Sequence, residues 1–126
     1  LRDAAGRNTV ILGECGGYMV LGHGVVDGDG AHHAMAGLLD LETSFAQRKL
    51  HLGYRQASLQ TDCGLGAAGS KFRAHEFHYA NVILEQGENL FTVRDALGEQ
   101  EAHVGLVSGR IMGSFIHLID RAIQIP

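Results

Sequence analysis

The chain has 126 residues, 45% of them hydrophobic and 19% charged, enough for one compact domain with a core of its own. Its formal charge of −4, with both signs interspersed, argues against a nucleic-acid footprint, and no apolar run approaches the roughly 18 residues of a membrane helix. Two cysteines far apart, with no signal-peptide layout at the start, fit a reducing cytoplasm better than a disulfide scaffold. Leucine stands first, not methionine, and the expectation from it is a piece of a longer protein.

Leu1 to Gly6 reads as the end of a helix closed by glycine, with Gly6-Arg7-Asn8 as the break. Val10 to Leu12 is short and continuously apolar, which predicts a strand of a parallel sheet buried on both faces. Gly13-Glu14-Cys15-Gly16-Gly17 follows it, and the helix-like run Tyr18–Leu21 leads out. The order strand, tight turn, helix with cysteine at the apex is the G-x-C-x-G form of the nucleophile elbow. A thiol there sits at a helix N-terminus, where unpaired N–H groups favour the thiolate. A buried structural cysteine beside closely packed glycines is the competing reading.

Val25 to Ala34 reads as strand, turn, strand around Asp27-Gly28-Asp29-Gly30. A calcium loop starting at Asp27 would need a glutamate at its twelfth position, where Leu38 stands, so a plain turn is expected. His32 and His33 read as loop histidines. Met35–Leu41 and Thr43–Leu50 are ambiguous, and Leu52–Leu59 looks like a half-exposed strand. Gly64–Gly69 matches G-x-G-x-x-G, but the aromatic-rich stretch after it lacks helix periodicity, so a hairpin connection is expected rather than a phosphate loop. His75 and His78, three apart on a strand, would face opposite ways and could not share a metal, and no metal site is expected.

Short strands are predicted at Asn81–Leu84, Leu90–Val93 and His103–Ser108. The last motif is Gly113-Ser114-Phe115-Ile116-His117-Leu118, read as a strand through Ile111-Met112, a turn at Gly113-Ser114, and a terminal helix beginning near His117.

Four blocks in one order, Gly13–Met19, Leu52–Arg55, His75–Tyr79 and Gly113–Leu118, resemble the class I glutamine amidotransferase domain of cobyrinate a,c-diamide synthases. The cobalt-free variant, the hydrogenobyrinate a,c-diamide synthases, resembles it most, through Met35–Leu39 and Arg48–Leu50 as well. The resemblance implies a flavodoxin-like α/β fold, here the C-terminal part of the domain without its first strands, over residues 1–126. It implies that Cys15 is the nucleophile and His117 its base. It further implies that glutamine supplies ammonia and that ATP with Mg2+ activates the a and c carboxylates of cobyrinic or hydrogenobyrinic acid. That ATP site would belong to an N-terminal synthetase domain not found in this sequence, so no cofactor is expected on this segment.

The Gly16 N–H, next after the nucleophile, suits one oxyanion donor, and a second would lie upstream. This stretch alone is therefore expected to be a poor glutaminase. His78 and Tyr79 are candidate glutamine-pocket residues by the resemblance. Most class I amidotransferases carry a glutamate two positions after the histidine, where Ile119 stands here; Asp120 or Glu76 could orient the imidazole instead. Sheet edges left open by absent strands would pair with a second copy, giving a homodimer. The rival readings are a non-catalytic binding domain, another cysteine hydrolase, and a cobyric acid synthase-type amidotransferase.

Overall fold

The computed structural model describes residues 1–95, 97–98 and 100–121. Helix α1 (Arg2–Gly6) precedes strand β1 (Ile11–Glu14), and helix α2 (Gly16–Leu21) follows the bend at Cys15. The remaining described elements are strands: β2 (Gly24–Val26), β3 (His32–Ala34), β4 (Asp40–Ser44), β5 (His51–Leu59), β6 (Lys71–His78), β7 (Asn81–Gln86), β8 (Phe91–Asp95), β9 (Glu101–Val104), β10 (Leu106–Ser108), β11 (Ile111–Ser114) and β12 (Ile116–Arg121).

They form three sheets. In the first, β1 pairs in parallel with β11, which pairs antiparallel with β10. The second has the order β12-β6-β5-β8-β9 and the third β3-β2-β4-β7. The unit β1–α2 with its parallel partner β11 carries the α/β, flavodoxin-like character, and the rest of the domain is mostly β. One core lies under the five-stranded sheet, where Ala57, Phe72, Phe91 and Ile116 meet Met112. A second, of Tyr18, Leu21, Leu39, Leu41, Leu106 and Phe115, holds α2 in place.

The period of two fixes which residues reach these cores. On β6, Phe72, Ala74 and His78 are buried while Lys71, Arg73 and Phe77 are exposed, so even positions face inward and odd positions outward. Asp27 closes the β2–β3 turn by accepting the N–H groups of Asp29 and Ala31, each at 2.9 Å, which is the plain turn expected.

Two expectations are corrected. Strand β1 is not buried on both faces: among the described residues it is the edge of its sheet, paired with parallel β11, and Leu12 is 41% exposed, as is Val10 just before the strand at 48%. Gly113-Ser114 is no turn but the end of β11, and Ile116–Arg121 is strand β12 where a helix was expected. The physical reason is tertiary pairing. Strand β12 is laid antiparallel along β6, from Ile116 opposite Glu76 to Arg121 opposite Phe72, and that ladder overrides the local pattern. The part of the expected helix beyond Arg121 lies outside the described residues.

Candidate active site

The bend at Cys15 follows from its neighbours. Cys15 has φ 53° and ψ −110°, and apart from Asn8 it is the non-glycine residue with positive φ among those described. Such a conformation is strained for a side chain with a Cβ and persists only where the surroundings enforce it. The enforcing contacts are close. A Cβ on Gly13 would lie 2.7 Å from the Gly17 carbonyl oxygen, and one on Gly113 would lie 2.6 Å from both the Gly13 carbonyl oxygen and the Tyr18 ring. Only glycine lets β1, β11 and α2 approach this closely.

At the apex, the Cys15 N–H donates to the Ser114 carbonyl at 2.9 Å, and its thiol points to the Phe77 carbonyl at 3.8 Å. Burial pushes the thiol above the ordinary cysteine value, and the Gly16 N–H facing the sulfur offsets only part of that. The expectation that the helix N-terminus would favour the thiolate is thus outweighed: α2 has six residues, and desolvation is the larger effect.

His117 lies on β12, directly opposite His75 on β6, and the two rings stack with centroids 4.8 Å apart at 14°. Both stand on the outward face. The main chain that carries His117 is tied to the elbow at both ends. Ser114 accepts the Cys15 N–H, and the Leu118 N–H donates to the Glu14 carboxylate at 2.8 Å. Among the described residues no hydrogen bond joins the Cys15 thiol to the His117 ring.

Of the other predicted site residues, Tyr79 is half-exposed just past the end of β6, with the Arg48 guanidinium 4.9 Å over its ring and Phe77 edge-on. His78 points the other way. It is 8% exposed, on the inward face, sandwiched between the rings of His51 at 4.6 Å and Phe115 at 4.1 Å. Its Nδ1 faces the Ala80 carbonyl and its Nε2 the Glu76 carboxylate at 2.7 Å, so both nitrogens serve neighbouring acceptors. Of the two candidates for orienting the imidazole, among the described residues Asp120 pairs with Arg73, and Glu76 with His78 and Arg55.

His51, Glu76 and His78 offer donor atoms within 4.8 Å of one another and line a cavity of about 330 Å³. One ion bound by both rings would have to lie in both ring planes, and these rings stack at 13°. His51 also gives its Nε2 to the Asn81 amide oxygen at 2.9 Å. The cluster is a closed ion-pair network. It holds the Glu76 carboxyl below the usual carboxylate range, chiefly through His78, with Arg55 adding to it against the effect of burial. The Gly64–Gly69 loop lacks the strand-to-helix setting of a phosphate loop. It joins β5 to another strand, β6, not to a helix, and the Asp62 carboxylate occupies it by accepting the Ala68 N–H at 2.7 Å.

Sequence reasoning singled out the His75–Tyr79 block but missed the stacking of His75 on His117, because it depends on the β6–β12 register. It also missed Glu14, whose partner is 104 residues away. The only available signal was its place beside the cysteine.

Residues 1–122 match the model of the CobB/CobQ-like glutamine amidotransferase domain. The chain is 53% identical over 119 residues to a protein of Brucella abortus biovar 1 (strain 9-941) named hydrogenobyrinate a,c-diamide synthase, covering 94% of this chain and 27% of that protein. Proteins of the same name from Rhizobium meliloti (strain 1021) and Rhodobacter capsulatus are 50% and 51% identical, over 95% and 86% of this chain and 28% and 25% of theirs. The chain therefore spans about a quarter of the length of these curated relatives.

Proposed function

Because this chain belongs to the CobB/CobQ-like glutamine amidotransferase family, we propose that it hydrolyses glutamine at Cys15 and delivers the ammonia to a corrin a,c-diamide synthase reaction. The observation that carries the reading is the strained backbone of Cys15, held at a strand–helix bend by glycines that a methyl group would break. The names of the relatives support the acceptor: hydrogenobyrinic acid, whose a and c carboxylates become amides. Activation of those carboxylates by ATP and Mg2+ lies outside these residues.

In this reading His117 takes the Cys15 proton as the sulfur attacks the glutamine carboxamide carbon. The C=O pair moves onto oxygen, and the Gly16 N–H, already facing the sulfur, donates to that oxyanion. The C–N bond then breaks, His117 returns the proton to nitrogen, and ammonia leaves. Water adds to the thioester and releases glutamate, restoring the thiol. Tyr79, on the half-exposed side of β6 beyond Phe77, is the pocket residue of the predicted pair, while His78 acts through packing.

The experiment is a comparison of nitrogen sources in the native protein. With Cys15→Ala, glutamine-dependent diamide synthesis should be lost while synthesis from added ammonia persists. Retained glutamine-dependent synthesis would remove Cys15 from the mechanism.

A further inference from the structure

Among the described residues strand β12 is the edge of the five-stranded sheet, and no described strand pairs with its outward side. One of its N–H groups is nevertheless satisfied. The Leu118 N–H donates to the Oε2 of Glu14 at 2.8 Å, across 104 residues of sequence, where the β6–β12 register also shifts between Leu118 and Asp120. Glu14 ends β1 and immediately precedes Cys15, so this bond joins the elbow's sheet to the sheet that carries His117. The charge-assisted form of such a bond is about twice as strong as a neutral one.

We propose that Glu14 is a positioning residue of the glutaminase site, its carboxylate holding the His117–Leu118 main chain against the Cys15 elbow. The inference rests on the reading of Cys15 and His117 given above. Three restraints then converge on one short segment. Ser114 is bonded to the Cys15 N–H, Leu118 to Glu14, and the His117 ring is stacked on His75. Asp120 and Glu76 are engaged elsewhere, with Arg73 and with His78 and Arg55. Where a carboxylate commonly steadies the histidine through its ring, Glu14 steadies it through the backbone, leaving the ring nitrogens for proton transfer. A displacement of about 1 Å in such an arrangement costs up to about 100-fold in rate, so a single backbone bond is enough to matter.

Glu14→Ala, Glu14→Gln and Glu14→Asp in the native protein test this, with glutaminase kcat and KM, ammonia-dependent synthesis and the thermal midpoint measured for each. The expected result for Glu14→Ala is a kcat lower by about 10- to 100-fold with KM within about threefold, since the loss is of alignment and not of binding. Glu14→Gln keeps an acceptor oxygen at the same reach and should recover kcat to within about threefold, while Glu14→Asp, one methylene shorter, should stay low. Ammonia-dependent synthesis should be unchanged in all three. The proposal is overturned if Glu14→Ala turns over like the parent, if Glu14→Gln is as impaired as Glu14→Ala, if Glu14→Asp is unimpaired, or if ammonia-dependent synthesis falls in parallel. Should Glu14→Ala fail to fold, the Gln and Asp variants decide it. Cys15→Ala, measured alongside, separates the two levels: if it still hydrolyses glutamine the underlying reading fails, and if it is inactive while Glu14→Ala is not, only the role of Glu14 fails.

Discussion

The Cys15 thiol points to the carbonyl oxygen of Phe77, 3.8 Å away, and among the described residues no imidazole is hydrogen-bonded to it. A thiol donating to a carbonyl is held as a thiol. Half-buried, it also loses part of the hydration a thiolate needs.

Alkylation of Cys15 should reflect this. Its rate with iodoacetamide should rise with pH and level off above the ordinary cysteine value, because burial raises the thiol more than the Gly16 N–H lowers it. Quenched mass spectrometry of the Cys15 peptide gives the profile against a free-thiol standard. An inflection below that standard would contradict the upward shift that burial gives the Cys15 thiol.

The glycines of the elbow differ in what they do. Gly113→Ala sets a methyl group 2.6 Å from the Gly13 oxygen and the Tyr18 ring, both fixed, and should destabilise by about 1–3 kcal/mol or more. Gly17→Ala in α2 meets nothing within 4 Å and should be neutral or stabilising by up to about 1 kcal/mol. Denaturant midpoints of the two variants should therefore move in different directions or by clearly different amounts. Equal losses would mean that the close approach of β1, β11 and α2 is not what holds the bend.

Two acids should give stability opposite pH dependences. Glu85 accepts the Tyr18 hydroxyl at 2.7 Å, and burial raises its carboxyl above the usual range, with Tyr18 and the Gly105 N–H opposing. Its folded value exceeds its unfolded one, so stability is fullest below the unfolded value and is lost as pH rises through the folded value. Glu85→Gln should remove that loss. Glu76 is depressed, so its contribution is present above the unfolded value and is lost as pH falls through the folded one. Glu76→Gln should lower stability near neutrality and flatten the acid limb. Urea midpoints across pH for the three proteins test both signs, and a Glu85→Gln profile parallel to the parent's would contradict the first.

Removing the Tyr18 hydroxyl tests the support behind the elbow. Tyr18 is fully buried, packs edge-on against Phe115 with centroids 5.4 Å apart, and through Phe115 meets the His78 stack. Tyr18→Phe keeps the ring and leaves the Glu85 carboxylate one donor short, so a loss of about 1–3 kcal/mol is expected. An unchanged midpoint would mean that water or the Gly105 N–H suffices for that carboxylate.

What the sequence disclosed divides by range. The bend at Cys15 was legible because its signals are local, glycines before and after with an apolar strand leading in and a helix leading out, although the Gly113 contact that helps enforce it comes from distant β11. The hairpin strands β2 and β3 and the long strands β5 and β6 were legible from alternation and turn residues. Strand β12 was misread because Phe115, Ile116, Leu118 and Ile119 suit either period, and pairing with β6 decided between them. The outward exposure of Val10 and Leu12 could not be read either, since an apolar run does not say how many neighbours its strand has. The parity of β6 turns His78 inward, away from His75, where it lines a cavity with His51 and Glu76, a placement the sequence did not disclose. Glu14 shows the limit most plainly: its bond to Leu118 exists only once two sheets are brought together.

Covalent capture tests the central claim most directly. The native protein would be incubated with a glutamine-analogue electrophile carrying a diazoketone, and its peptides mapped by mass spectrometry. One adduct per chain on Cys15, prevented by excess glutamine and absent from Cys63, is the predicted result. A Cys15 that stays unmodified while the protein is folded would contradict its role as the glutamine nucleophile.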